Sequence, residues 1–206
     1  MADELGLPAD DATRVGVEVS LASAIQNQGR WQEAEPMIRD LLARVVRLGP
    51  PHDEMAVGLY TQLIQIERMK GAGAATLVPL IDALLEFQKG ETDPAARVVN
   101  ALYEAQRHQL VGDRDAALQA RLRSAEIARA RIDPGSFAYR MALIEAAHGL
   151  SQAERYDEAI DYALPGMESL RMVLGPYHYD VERYSGFLSR LHANAGRQDE
   201  ADAWLE

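Results

Sequence analysis

The chain has 206 residues, 48% of them apolar and 26% charged, enough for one sizeable core or one stack of repeats in a folded protein. A formal net charge of -11 argues against nucleic acid or an anionic membrane surface as the main partner. Cysteine is absent, which excludes disulfides, thiolate metal sites and cysteine nucleophiles.

The opening "MADELGLPADD" is acidic and lacks a basic segment followed by an apolar run. Residues 1–10 therefore read as an N-terminal extension, and a cytoplasmic location is the expectation. Helical periodicity then predicts helices near 11–28 and 31–48, joined at "NQGRWQEAE", with Leu21, Ala22 and Ile25 turned to the core. In "LGPPHDE" Gly49 stands where a helix end takes a left-handed residue, and Pro50 forbids continuation. The second pair, near 53–70 and 73–89, turns at "GAGAAT". Its apolar stretch Ala74 to Phe87 is interrupted by Pro79, Asp82 and Glu86 and is too short to span a bilayer. The third pair, near 94–111 and 114–131, starts with Asp93 as N-cap and turns at "GDRDAA". The fourth, near 136–153 and 156–174, turns at "ERYDEA". Pro165 and Gly166 predict a distortion in its second helix, because Pro165 has no N–H to bond Asp161. The last pair, near 179–195 and from 198 onward, has Asp180 as N-cap and turns at "NAGRQDEAD", which repeats the first turn almost letter for letter.

Ala34, Thr76, Ala117, Ala159 and Ala201 close these turns at spacings of 42, 41, 42 and 42. A second punctuation recurs with the same period, in "LGPPHDE", "KGETDPA", "IDPGSF" and "LGPYHYD". Two turns per period, separated by helical pattern, define a helix–turn–helix repeat. The repeats span about 11–52, 53–93, 94–135, 136–178 and 179–206, the last cut short. Small residues such as Ala22 with Ala34, and Ala147 with Ala159, let paired helices approach closely, while Trp31 and Tyr156 fill the open side. A single hairpin cannot bury its apolar face, so neighbours must stack into an all-α solenoid over 11–206.

Residues that carry chemistry are sparse. The histidines His52, His108, His148, His178 and His192 show no metal-ligand spacing, and His52 and His178 repeat at matching loop positions. No GxSxG, SxxK or phosphate loop with lysine is present, and "GAGAA" has no preceding strand. The acid pairs Glu33 with Glu35, Asp157 with Glu158, and Asp199 with Glu200 fall at helix starts, where carboxylates complement the helix dipole. No enzyme, cofactor or metal is expected. The aromatic run "YHYDVERY" reads as packing or as an exposed tyrosine patch.

"LASAIQNQGRWQEAEP" followed by "LGPPHDEMA", together with "ERYDEAIDYALPGMESLRMVLGPYHYDVE", resembles the tetratricopeptide repeat in its long form, as in kinesin light chains and many bacterial proteins. Leu21, Ala22, Gly29, Trp31 and Ala34 carry the likeness in the first repeat, and Leu188, Ser189, Gly196 and Ala201 in the fifth. The second lacks the aromatic, and the third has Glu104 where the family has Leu. The resemblance implies a right-handed superhelical solenoid whose first helices line a concave groove, and a protein–protein interaction module that binds a peptide or protein segment there.

Helical periodicity places Ser23, Gln26 and Asn27 on one stripe, with Gln65 and Arg68, Gln106 and Gln109, His148 and Gln152, and Arg190 and Asn194 on its equivalents. This stripe carries amides and arginines but no carboxylate, in a chain with net charge -11. The amides suit an extended backbone, and Arg68, Arg183 and Arg190 suit carboxylates, so the expected partner is a protein or peptide, acidic or carboxylate-bearing. Asn27 and Asn194 each precede a turn glycine by two residues, a place from which this family contacts peptide. The expectation is one concave surface holding all of these residues, with no nucleic acid and no membrane as partner. Two alternatives stay open: a regulatory or sensor domain of a larger signalling protein, and a scaffold that self-assembles into a homo-oligomer through the open terminal repeat.

Overall fold

The structure, a computed structural model, describes Pro8, residues 11–50 and residues 52–205. Its described residues form ten α-helices and no strand. They are α1 (Ala12–Asn27), α2 (Trp31–Leu48), α3 (Asp53–Met69), α4 (Ala74–Phe87), α5 (Pro94–Leu110), α6 (Arg114–Arg131), α7 (Phe137–Gln152), α8 (Tyr156–Leu174), α9 (Tyr179–Asn194) and α10 (Gln198–Ala203). The chain divides into two compact units, Met1–Lys89 with α1 to α4 and Gly90–Glu206 with α5 to α10.

One backbone device makes every hairpin. Gly29, Gly71, Gly112 and Gly196 have φ of 76°, 76°, 82° and 77°, and Glu154 holds the matching place in the fourth hairpin at φ 59°. The residue after each donates back across the turn: Arg30 N to Ile25 O, Ala72 N to Glu67 O, Asp113 N to His108 O, Arg155 N to Leu150 O and Arg197 N to His192 O. This six-to-one bond closes the first helix and reverses the chain, and it needs the left-handed conformation that glycine adopts without penalty. Starts are capped locally. Asp11 accepts from Thr13 N and Arg14 N, Asp93 from Ala96 N, Asp113 from Ala116 N and Ser136 from Tyr139 N.

In the first unit α1 pairs with α2 and α3 with α4, while α2 also packs on α3. Val15, Ala22, Ala34, Ile38, Leu41, Val45, Leu59 and Leu63 form its core. Arg44 is buried at the α1–α2 contact, where its guanidinium meets Glu18, itself bonded by Arg14. Arg39 and Lys70 converge on Glu67 and Glu35, tying α2 to α3. In the second unit α5/α6, α7/α8 and α9/α10 are the hairpins, with α6 against α7 and α8 against α9. Alanine dominates the closest crossings: Ala101 and Ala105 on α5, Ala117, Ala120, Ala125 and Ala128 on α6, and Ala142, Ala146 and Ala147 on α7 are all buried. Leu118, Leu150, Ile160, Met167, Phe187 and Leu188 fill the larger core beyond them.

Three expectations need correction. Leu21 is 48% exposed, because the inward stripe of α1 runs through Val15, Ala22 and Gln26, and Leu21 lies a hundred-degree step aside. Gln26, expected on the open stripe, is therefore only 9% exposed. Asp180 lies inside α9, whose N-cap is His178, with Nδ1 accepting from Asp180 N at 3.1 Å. Pro165 lies inside α8, which continues through it as a single helix from Tyr156 to Leu174. An interior proline costs about 3 kcal/mol, whereas Ile160, Met167 and Leu170, buried on both sides of it, each contribute about 1.5–3 kcal/mol. Packing wins.

Candidate functional site

First helices of successive hairpins touch within each unit, α1 with α3 and α5 with α7, so the predicted stripe lies along one side of each unit. In the first unit it is cross-bonded. Gln62 Nε2 donates to Ser23 Oγ at 2.7 Å, and Gln26 Nε2 donates to Gln65 Oε1 at 3.2 Å. Two side-chain hydrogen bonds therefore join α1 to α3 along the stripe, with Asn27 and Arg68 exposed beside them. These glutamines spend part of their hydrogen-bonding capacity on the fold, but each amide still has groups to offer.

The second unit contains a cleft of about 520 Å³ between α7 and α9. Three residues expected from periodicity, His148, Arg183 and Arg190, line it together. Phe137, Arg140, Tyr184 and Phe187 line it as well. Asp180 also borders the cleft, whose lining thus includes a carboxylate that lies off the predicted stripe. Asp180 Oδ1 lies 3.3 Å from an Arg183 nitrogen, which leaves Arg190 and Arg140 without a carboxylate partner among the described residues. Arg140 donates to Gly135 O at 2.9 Å and lies over the Phe137 ring.

His148 packs on Phe187, with ring centroids 4.4 Å apart. Burial pushes its pKa below the ordinary histidine value; Glu145 opposes the shift, while Arg121, Arg183 and Arg190 reinforce it. Burial and the nearby arginines thus both disfavour the charged imidazole. Tyr184 is 6% exposed, its hydroxyl has no hydrogen-bond partner among the described residues, and burial pushes the phenol well above its usual pKa. The cleft therefore combines a desolvated aromatic floor with arginines at its rim.

The remaining candidates flank this cleft or lie apart from it. Gln109 accepts from the buried Arg121 at 2.7 Å, and Arg121 also lies 3.4 Å from Glu145, so Gln109 is anchored. Gln106 is half-buried on α5, while Gln152 and Asn194 are exposed at the ends of α7 and α9. Phe137, Arg140 and Phe187 were not singled out from sequence. The signal was there: Phe137, Arg140, Ile144 and His148 follow helical spacing along α7, as Arg183, Phe187 and Arg190 do along α9. Among the described residues no group of three or more His, Cys, Asp or Glu could hold a metal ion, and no helix is long and apolar enough to cross a membrane.

These features define an all-α fold of stacked helical hairpins. It is the tetratricopeptide-like repeat fold, similar to that of kinesin light chain-type repeats. No family model and no curated protein matches the chain. Solved structures do. BtubC from P. vanneervenii superposes with a TM-score of 0.76 at 17% identity, over 99% of this chain and 82% of that one. A kinesin light chain-like repeat protein from Podospora anserina gives 0.70 at 17% identity, over 93% and 92%. PlcR from Bacillus thuringiensis, solved with the peptide PapR7 and DNA, gives 0.63 at 14% identity, over 98% and 74%.

Proposed function

We propose that this chain is a non-catalytic protein–protein interaction module. It binds an extended, carboxylate-bearing peptide segment along the first-helix side of its second unit, centred on the α7–α9 cleft. The observation that carries this reading is the convergence of His148, Arg183 and Arg190 on one cleft with Phe187 as its floor. An apolar peptide side chain enters between the rings. Its neighbouring carboxylates meet Arg190 and Arg140, and displace Asp180 from Arg183. Charge-assisted, bidentate bonds of this type discriminate strongly for carboxylate. A protein of the same fold, PlcR, has been solved with a peptide, which agrees with the reading.

The test is a fluorescence-anisotropy screen of peptides that vary in acidity and aromatic content, followed by Arg190→Glu. Acidic peptides with one aromatic or aliphatic residue should bind. Arg190→Glu should weaken them at least tenfold, about 1.4 kcal/mol. Its melting temperature should hardly move, because an exposed charge contributes only about 0–1 kcal/mol to folding. Absence of any acidic ligand, or affinity indifferent to Arg190→Glu, would refute the proposal.

A further inference from the structure

We infer that the segment held in the α7–α9 cleft continues across α5, where the side-chain amide of Gln109 donates to one of its main-chain carbonyls. This contact rests on the peptide reading above and extends it by a second point, one hairpin away, with a stated chemistry. The amide is oriented from inside the fold. Arg121, on the second helix α6, is 8% exposed, and its guanidinium reaches side chains of both α5 and α7. Gly149 of α7 leaves it room, since a Cβ there would stand 3.0 Å from Arg121 Cδ and 3.4 Å from Nη1. Arg121 Nη2 donates to Gln109 Oε1 at 2.7 Å, and its Nε lies 3.4 Å from Glu145 Oε2. An arginine has only donors, so the end of the amide that it meets is the oxygen. The two N–H groups of Gln109 Nε2 therefore remain to be offered elsewhere. Gln109 is exposed, and its Nε2 has no acceptor among the described residues.

Two consequences follow from that anchor. An exposed glutamine ordinarily loses rotamer freedom when a partner immobilises it, whereas this one is already held by the fold. A bond from a cation also polarises the amide and strengthens its N–H groups as donors. The same arginine links Gln109 to the cleft. Glu145 stands one turn before His148 on α7, and the charge of Arg121 acts on His148, a cleft residue. Packed helix axes lie about 8–10 Å apart, a span that an extended chain covers in about three residues. Glu145 also decides what Gln109 meets. A carboxylate arriving here would face the part-exposed Glu145 carboxylate, while a neutral main-chain carbonyl accepts from Gln109 without that repulsion, and every residue of the segment carries one.

Gln109→Glu is the isosteric probe. One carboxylate oxygen keeps the Arg121 bond, now as an ion pair, and the other presents an acceptor where the amide presents donors. Fluorescence anisotropy of the full chain compares a core peptide, one aromatic residue flanked by carboxylates, with the same core extended by about four neutral residues at its N-terminus or at its C-terminus. The extension that reaches α5 should tighten binding to the parent chain about fivefold, as one net hydrogen bond does. Gln109→Glu should remove that gain, change the affinity for the core little, and melt no lower than the parent. Without any peptide, nitrogen-15 relaxation should find the Gln109 side-chain amide as rigid as the backbone and that of the exposed Gln152 mobile. A mobile Gln109 amide, extensions that add nothing, or a gain that survives Gln109→Glu would each overturn the Gln109 contact and leave the cleft reading standing. Failure of the core peptide itself to bind would refute the cleft reading and this contact together.

Discussion

Two glycines in the second unit offer a comparison in which helix propensity cancels. Gly149 on α7 and Gly166 on α8 are both buried inside helices. Alanine at either site gains the same intrinsic preference, roughly 1 kcal/mol. Their surroundings differ. A methyl at Gly149 would stand 3.0 Å from Arg121 Cδ and 3.1 Å from Leu118 Cδ1, whereas at Gly166 its nearest neighbours are Tyr184 Oη at 3.4 Å and Leu143 Cβ at 3.5 Å. The second set is ordinary contact; the first requires α6 side chains to give way. Arg121 cannot yield freely, since it is buried and held by Gln109 and Glu145. Overpacking of this kind costs about 1–3 kcal/mol, so Gly166→Ala should be neutral or stabilising, while Gly149→Ala should fall below it by about that amount. For a chain of this size the gap corresponds to roughly 3–10 °C between the two melting temperatures. Thermal unfolding followed by circular dichroism measures it. Equal melting temperatures, or a Gly149→Ala variant more stable than Gly166→Ala, would refute the packing assignment around Arg121.

Ala34→Leu and Ala159→Leu should each destabilise by about 1–3 kcal/mol in urea unfolding, because both residues are fully buried, while Ala193→Leu on the exposed side of α9 should change little. Burial raises the Glu18 pKa, but the hydrogen bonds from Arg14 and Arg44 outweigh it and leave the carboxyl below its usual range. Its contribution is therefore complete above the unfolded value of about 4.3 and is lost as pH falls through the lower folded value, so Glu18→Gln should flatten the loss of stability measured by urea unfolding between neutral and acidic pH. His148 titrates in the opposite circumstance: a carboxylate brought into the cleft favours its charged form, so peptide binding should take up protons and tighten as pH falls from 8 to 6. Calorimetry in two buffers of different ionisation enthalpy should detect that uptake, and His148→Gln should abolish it.

Most of the architecture was legible because the turn chemistry repeats. Gly29, Gly112 and Gly196 are punctuation that a sequence displays openly, and the helices begin and end within a few residues of them. Glu154 shows that the turn survives even where the letter changes, since the six-to-one bond and the packing on either side hold the backbone left-handed. Pro165 illustrates the converse. A local rule predicts a distortion there, and α8 still continues through it, because burial along both halves exceeds the cost of one lost hydrogen bond. The candidate site was half legible. Periodicity put His148 and Arg190 on equivalent stripes, and both border the α7–α9 cleft, because position on a helix sets which way a side chain faces. It could not find Asp180 beside Arg183, or the sharing of Gln65 with Gln26, because those depend on which side chains of different hairpins, or of one helix start, meet in space. Leu21 shows how narrow the margin is: one residue of register separates core from surface.

The central claim is that a peptide lies on the first-helix side of the second unit. Amide chemical-shift mapping of the chain, titrated with an acidic peptide that carries one aromatic residue, tests it most directly. The account predicts the largest shifts along Phe137 to Gln152 and Asp180 to Asn194, with a downfield-moving His148 ring signal as its charge increases. Shifts concentrated instead on the outer side of α6 and α8, around Glu126, Arg129 and Glu168, would contradict it.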